Sequence, residues 1–191
     1  MNIFNTDTDD DRGQVGIGTL IIFIALVLVA AVAAGVLVNT AGLLQSQAEE
    51  TGQDAQSQVG NQIDVVSATG TVNGDFVESA DIVVKKSAGS DPIDLEEATI
   101  QYTSSSASET LQSGGGAGDF DTTSISGESG TVLTNTGDRI EISFNIDELE
   151  DNGGLAEGES ATLRIVDQSG ATTTYVLNPP QTFGERSVVD L

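Results

Sequence analysis

Cysteine, histidine and tryptophan are absent from this 191-residue chain, and bases are scarce: six Lys and Arg face 30 Asp and Glu, for a net charge of −24 at pH 7. The lack of Cys removes disulfide staples and thiolate nucleophiles, and the joint lack of Cys and His removes ordinary zinc sites and every Ser–His arrangement. Lys85 and Lys86 are the only lysines, so no basic patch is available to release counterions from a polyanion, and a nucleic-acid role is excluded. Carboxylate pairs are too plentiful to single out an acid–base dyad. Gly114-Gly115-Gly116-Ala117-Gly118 lacks the Lys-Ser/Thr that follows a phosphate-binding loop. No stretch meets the EF-hand pattern; the densest acidic cluster, Asp147 to Asp151 followed by Asn152-Gly153-Gly154, reads as a solvated turn. No enzyme, cofactor or metal site is expected.

So one-sided a charge opposes compaction through self-repulsion in dilute buffer. Salt relieves it, because the Debye length falls to about 3 Å at 1 M. A folded, strongly acidic surface therefore points to a halophile.

What the chain does have is one long apolar run, Val15 to Val38, inside a stretch without any charge from Gly13 to Ala48. A helix needs only about 20 apolar residues to cross a bilayer core. The Ala- and Gln-rich stretch after it, Asn39 to about Val66, carries no Pro and lets a helix continue, so a single rod over about Gly18 to Gly60 is expected. Three readings of this N-terminus compete. A secretory signal needs a basic n-region and a short apolar core, whereas Asp7, Asp9, Asp10 and Asp11 here outnumber the single Arg12; the A-x-A-like Ala31-Val32-Ala33 is expected by chance in so Ala/Val-rich a run. A plain membrane anchor is the second reading. The third places a cut before the run, after Gly13, and leaves the run in the mature protein.

The stretch Arg12-Gly13-Gln14-Val15-Gly16-Ile17-Gly18-Thr19-Leu20-Ile21, continuing through Ala33-Ala34-Gly35-Val36-Leu37-Val38-Asn39-Thr40-Ala41-Gly42, resembles archaeal flagellins of haloarchaeal type, the filament subunits of the archaellum. The likeness extends more loosely through Ile82 to Lys86, Ile93-Asp94-Leu95 and Thr173 to Asn178. It implies that a prepilin-type peptidase cuts after Gly13 and leaves Gln14 as the first mature residue. It further implies transient insertion in the cell membrane, partnership with the membrane assembly machinery, and polymerisation with itself and related flagellins into an extracellular swimming filament. Two departures bear on this. Gln14 to Leu20 holds no acid, unlike bacterial-type pilins, and no Asn heads an Asn-x-Ser/Thr sequon, so N-glycosylation by that motif is not expected. Loss of the leader's four Asp and one Arg leaves 26 acids against 5 bases.

Beyond the helix the period changes from 3.6 to 2. Ile140-Glu141-Ile142-Ser143-Phe144-Asn145-Ile146 and Ala161-Thr162-Leu163-Arg164-Ile165 alternate apolar and polar residues, the signature of strands with one buried face. Looser strand signals lie at Ile63 to Val72, Phe76 to Val84, Ala98 to Tyr102, Gly130 to Leu133 and Thr172 to Leu177. Thr103 to Thr110 and Gly114 to Gly130 read as loops. The expected organisation is a leader at 1–13, a hydrophobic polymerisation helix at 14–60 and a surface-exposed antiparallel β-sandwich or barrel at 61–191, an α+β fold. Within the helix, Ala30 with Ala34 and Ala31 with Gly35 set small residues at four-residue spacing, which suits close helix packing. An adhesive type IV-like pilus subunit and a non-polymerising membrane-anchored surface protein are the alternative functions.

Overall fold

The computed structural model describes residues 7–116, 118–127 and 130–191; Met1 to Thr6 of the expected leader and Ala117 of the glycine run lie outside the described residues. Contacts divide the chain into two compact units, Met1–Gly52 and Gln53–Leu191.

Helix α1 spans Asp7–Gly60, 54 residues, or about 80 Å at 1.5 Å per residue. It begins at Asp7, not at the expected Gly18. The first Pro of the chain is Pro92, so no proline interrupts the backbone ladder. Gly13, Gly16 and Gly18 weaken this turn by about 1 kcal/mol each relative to Ala but do not end it.

Twelve strands follow: β1 (Ile63–Asn73), β2 (Phe76–Lys86), β3 (Ile93–Asp94), β4 (Thr99–Thr103), β5 (Ser108–Gln112), β6 (Phe120–Ser126), β7 (Val132–Leu133), β8 (Arg139–Asn145), β9 (Leu155–Ala156), β10 (Ala161–Val166), β11 (Thr172–Leu177) and β12 (Val188–Asp190). One antiparallel sheet runs β12-β1-β2-β8-β6, with β9 pairing the start of β2; a second runs β11-β10-β4-β5, and β3 pairs β7. The β1–β2 hairpin closes on a two-residue loop whose first residue, Gly74, has φ 65. That is the position at which a type II′ turn demands glycine.

The alternating segments bury the faces their period dictates. Ile82, Val84, Ile140, Ile142 and Phe144 from the first sheet and Ile100, Tyr102, Leu163 and Ile165 from the second belong to one core, each large aliphatic contributing about 1.5–3 kcal/mol. Tyr102 meets Phe144 edge to face, centroids 6.4 Å apart at 65°, a favoured aromatic geometry that ties one sheet to the other.

Two segments expected as loops contain strands. β5 lies within the end of Thr103 to Thr110 and beyond, and β6 within Gly114 to Gly130. Each buries one residue, Leu111 and Phe120 respectively, so neither shows the apolar alternation of an inner strand; edge pairing with β4 and β8 holds them. The sheets stay open but approach at both sides. Ser113 bridges Phe120 in parallel fashion at one seam. At the other, the Thr173 hydroxyl donates to the Ile63 carbonyl (3.0 Å) and the Tyr175 hydroxyl to the Leu191 carbonyl (2.9 Å).

Candidate functional site

The apolar part of α1 has no dry side and no wet side. Leu20 to Ile24 are five consecutive large apolar residues with 50–64% of their surface exposed, and at about 100° per residue five consecutive positions encircle the helix. The most apolar 18-residue window of Gly13–Gly60 has a mean hydropathy of 3.2, and none of it is buried. Its threonine hydroxyls bond within the helix: Thr19 donates to Gly16 O (2.9 Å), Thr40 to Val36 O (2.8 Å) and Thr51 to Gln47 O (2.8 Å). Back-bonding of this kind is how Thr survives in an apolar helix. The surface offers neighbours shape and apolar area.

Gly13 and Gln14, the expected cleavage pair, both lie exposed within α1, and a Cβ added at Gly13 would meet nothing within 4 Å. Ala30, Ala31, Ala34 and Gly35 are likewise exposed on the helix. By the 100° rule Ala30 and Ala34 adjoin, and Ala31 and Gly35 lie beside them on one half of the rod. Sequence reasoning missed the other half. Leu28, Val29, Val32 and Ala33 line a shallow groove of about 380 Å³, and the same rule sets these four opposite the small residues. The signal was available in the sequence as the interleaving of i, i+1, i+4 and i+5. At this level the helix therefore carries a flat face on one side and a grooved one on the other, the unlike pair that a heterologous contact needs.

The β domain contributes charge. Lys85 and Asp64, 3.8 Å apart, make the single ion pair among the described residues. Asp81, Asp119, Asp121 and Glu148 line a cleft of about 260 Å³, and burial pushes the Asp81 carboxyl above the usual carboxylate range. Among the described residues no three acids group so as to hold a metal ion.

An exposed apolar rod joined to a compact acidic β domain is the arrangement that the resemblance to archaeal flagellins implied, and the family model for archaeal-type flagellin matches residues 13–177. The chain belongs to the archaeal-type flagellin family. It is similar to flagellin B2 of Halobacterium salinarum, 46% identical over 98% of each chain, and to flagellin A2 of Haloferax volcanii, 42% identical over 94% of each. Both relatives come from haloarchaea, in keeping with the acidic surface. Among solved structures, the flagellin fold is similar to that in the archaeal flagellum of Methanospirillum hungatei strain JF1, with a TM-score of 0.68 at 19% identity over 88% of this chain and 95% of that one. The crystal structure of flagellin FlaB1 from Methanocaldococcus jannaschii aligns with a TM-score of 0.61 at 16% identity, over 68% of this chain and 96% of that one.

Proposed function

We propose that this flagellin-family chain is the structural subunit of an extracellular swimming filament, polymerising with copies of itself and related flagellins through α1 while the acidic β domain faces solvent. The observation that carries this is the fully exposed apolar helix. Large aliphatic side chains left in water forgo about 1.5–3 kcal/mol each, and a rod apolar on all sides regains this only inside a membrane or among other such rods. The small-residue face at Ala30, Ala31, Ala34 and Gly35 packs on the grooved face of the next helix, a heterologous contact, which grows as an open filament when its rotation does not close into a ring. The same helix serves twice: it inserts in the cell membrane first, and the assembly machinery then transfers it to the bundle. A prepilin-type peptidase separates these stages by cutting between Gly13 and Gln14, where glycines at 13, 16 and 18 loosen the helix locally. The family match itself starts at Gly13. No step in this reading calls for a catalytic residue or a cofactor.

Intact-mass spectrometry of filaments sheared from cells tests the proposal. The chain is expected there, beginning at Gln14. Its absence from filaments, with the protein held in the membrane fraction, would favour the simple anchor, and a mature start near Ala34 or Gly35 would favour a secretory signal.

A further inference from the structure

The described residues bury six polar or charged side chains: Asn61, Lys86, Ser90, Asp138, Glu150 and Asp167. Four of the six, Asn61, Lys86, Ser90 and Asp167, converge where the last turns of the helix enter the β domain. Asn61 directly follows the helix, and β1 begins at Ile63, so two residues separate rod from sheet. The Asn61 side chain, 3% exposed, accepts from the Asp91 amide (2.9 Å) and donates to the Ser169 hydroxyl (3.4 Å). The Ser90 hydroxyl donates to the last helical carbonyl, Gly60 O, and accepts from the Gln62 amide, both at 3.1 Å. Lys86 holds this turn from below by donating to the Ser90 carbonyl (3.0 Å). Asp167 shapes the opposite turn by accepting from the amides of Ser169 and Ala171 and the Ser169 hydroxyl. One turn earlier, Gln58 reaches the Gly170 carbonyl and Ser57 the Asp91 carboxylate, each at 3.4 Å.

No apolar burial helps. Val59, the large apolar residue of the tail, is 80% exposed. Hydrophobic contact is non-directional and tolerates sliding, whereas a buried hydrogen-bond network specifies one geometry because each displaced donor or acceptor would be left unpaired. We infer that Asn61 and Ser90 are positioning residues that fix how the last turn of the helix, Ser57 to Gly60, is seated on the β domain. The seating stands apart from the filament reading given above.

Two measurements test the inference, with Tyr102→Phe as a control for damage to the domain elsewhere. The first is hydrogen exchange on the full-length mature chain in detergent at molar salt. In the native sequence the Gln62 and Asp91 amides should be protected, and Ser90→Ala and Asn61→Ala respectively should speed their exchange by about tenfold, roughly one lost hydrogen bond, while β8 and β10 amides keep their rates. Gln62 and Asp91 exchanging in the native chain as fast as the exposed loop at Ser105 would overturn the inference, whether or not the chain forms filaments. The second is cryo-electron microscopy of filaments. Asn61→Ala and Ser90→Ala filaments should keep a sharp helical core with smeared outer-domain density, and Tyr102→Phe filaments should keep both sharp. Outer domains as ordered and oriented as in the parent, equal smearing in the control, or loss of all filaments with β domains intact by exchange would each overturn it. A native chain missing from filaments while its Gln62 and Asp91 amides stay protected would instead sink the filament reading and spare the clamp.

Discussion

The Tyr102 hydroxyl donates to the Glu150 carboxylate across 2.5 Å, and Glu150 is 3% exposed. The Ser106 hydroxyl supplies a second bond at 2.7 Å, and among the described residues no base pairs with this carboxylate. Neutral hydroxyls thus hold this buried carboxyl group and fasten the turn after β4 to the acidic turn after β8. Burial, followed by the bond to Glu150 and its charge, pushes the Tyr102 hydroxyl far above the ordinary tyrosine range. Tyr102→Phe keeps the ring against Phe144 but withdraws one donor from the buried carboxylate, and should cost about 1–3 kcal/mol. Thermal unfolding at molar salt checks this, and an unchanged midpoint would mean that water replaces the hydroxyl.

Acid should act on two carboxylates with opposite sign. Asp138 accepts from the Asn135 amide (2.7 Å), the Thr134 hydroxyl (2.8 Å) and the Thr134 amide (3.0 Å), and these bonds hold its carboxyl below the ordinary value of 3.8. Its folded pKa is depressed, so its stabilisation is complete above the unfolded value and fades as pH falls below about 3.8 towards the folded one. Asp138→Asn should therefore lower stability at pH 7, with the gap to the parent narrowing on acidification. Asp81 is raised by burial; Asp81→Asn should stabilise at neutral pH, and that gap should also close as the parent's Asp81 takes up its proton. Denaturant unfolding of each variant beside the parent cancels the shared effect of pH on net charge.

Ala34→Leu stays apolar and should insert and be processed, yet overpack the flat face of the helix at a cost of about 1–3 kcal/mol per contact. Few or fragile filaments are expected. If the helices pack as proposed, Ala34→Asp buries a charge in the bundle and should yield none; normal filaments from that variant would return the helix to the status of an anchor.

With 30 acids against six bases and one ion pair among the described residues, the chain cannot neutralise itself. Lowering salt from molar to about 0.1 M lengthens screening to roughly 10 Å and should loosen the β domain or dissociate filaments. Circular dichroism unchanged across that range, with filaments intact by electron microscopy, would refute this.

Gly13→Val should block processing and leave the leader attached, read as a heavier, unassembled subunit by mass spectrometry. A normally trimmed Gly13→Val chain would move the cut elsewhere.

The sequence spoke clearly where burial follows a local period. Ile140, Ile142, Phe144 and Ile146 announced β8 because its inner face alternates without interruption, and the uncharged run announced α1. It was silent where a strand owes its existence to a neighbour: β6 is Phe120-Asp121-Thr122-Thr123-Ser124-Ile125-Ser126 with one buried ring at Phe120 and an exposed Ile125, and its pairing with β8 cannot be read from its own residues. The junction was equally hidden. Asn61, Ser90 and Asp167 are polar residues far apart in the chain, and only the fold makes them interior. The helix was expected from about Gly18, but its hydrogen bonding begins at Asp7, within the acidic segment before the apolar run.

The contacts at the two seams bear on a hazard that arises once β domains stand side by side at filament density. An unpaired strand edge is a template for another chain's backbone, and stacked copies of one domain would present such templates to each other continuously. Here Ser113 meets Phe120 at one margin, and at the other Thr173 and Tyr175 engage the carbonyls of Ile63 and Leu191. The outer strand β12 is three residues long and contains Asp190. These contacts occupy part of the strand edges that neighbouring domains could otherwise use as templates.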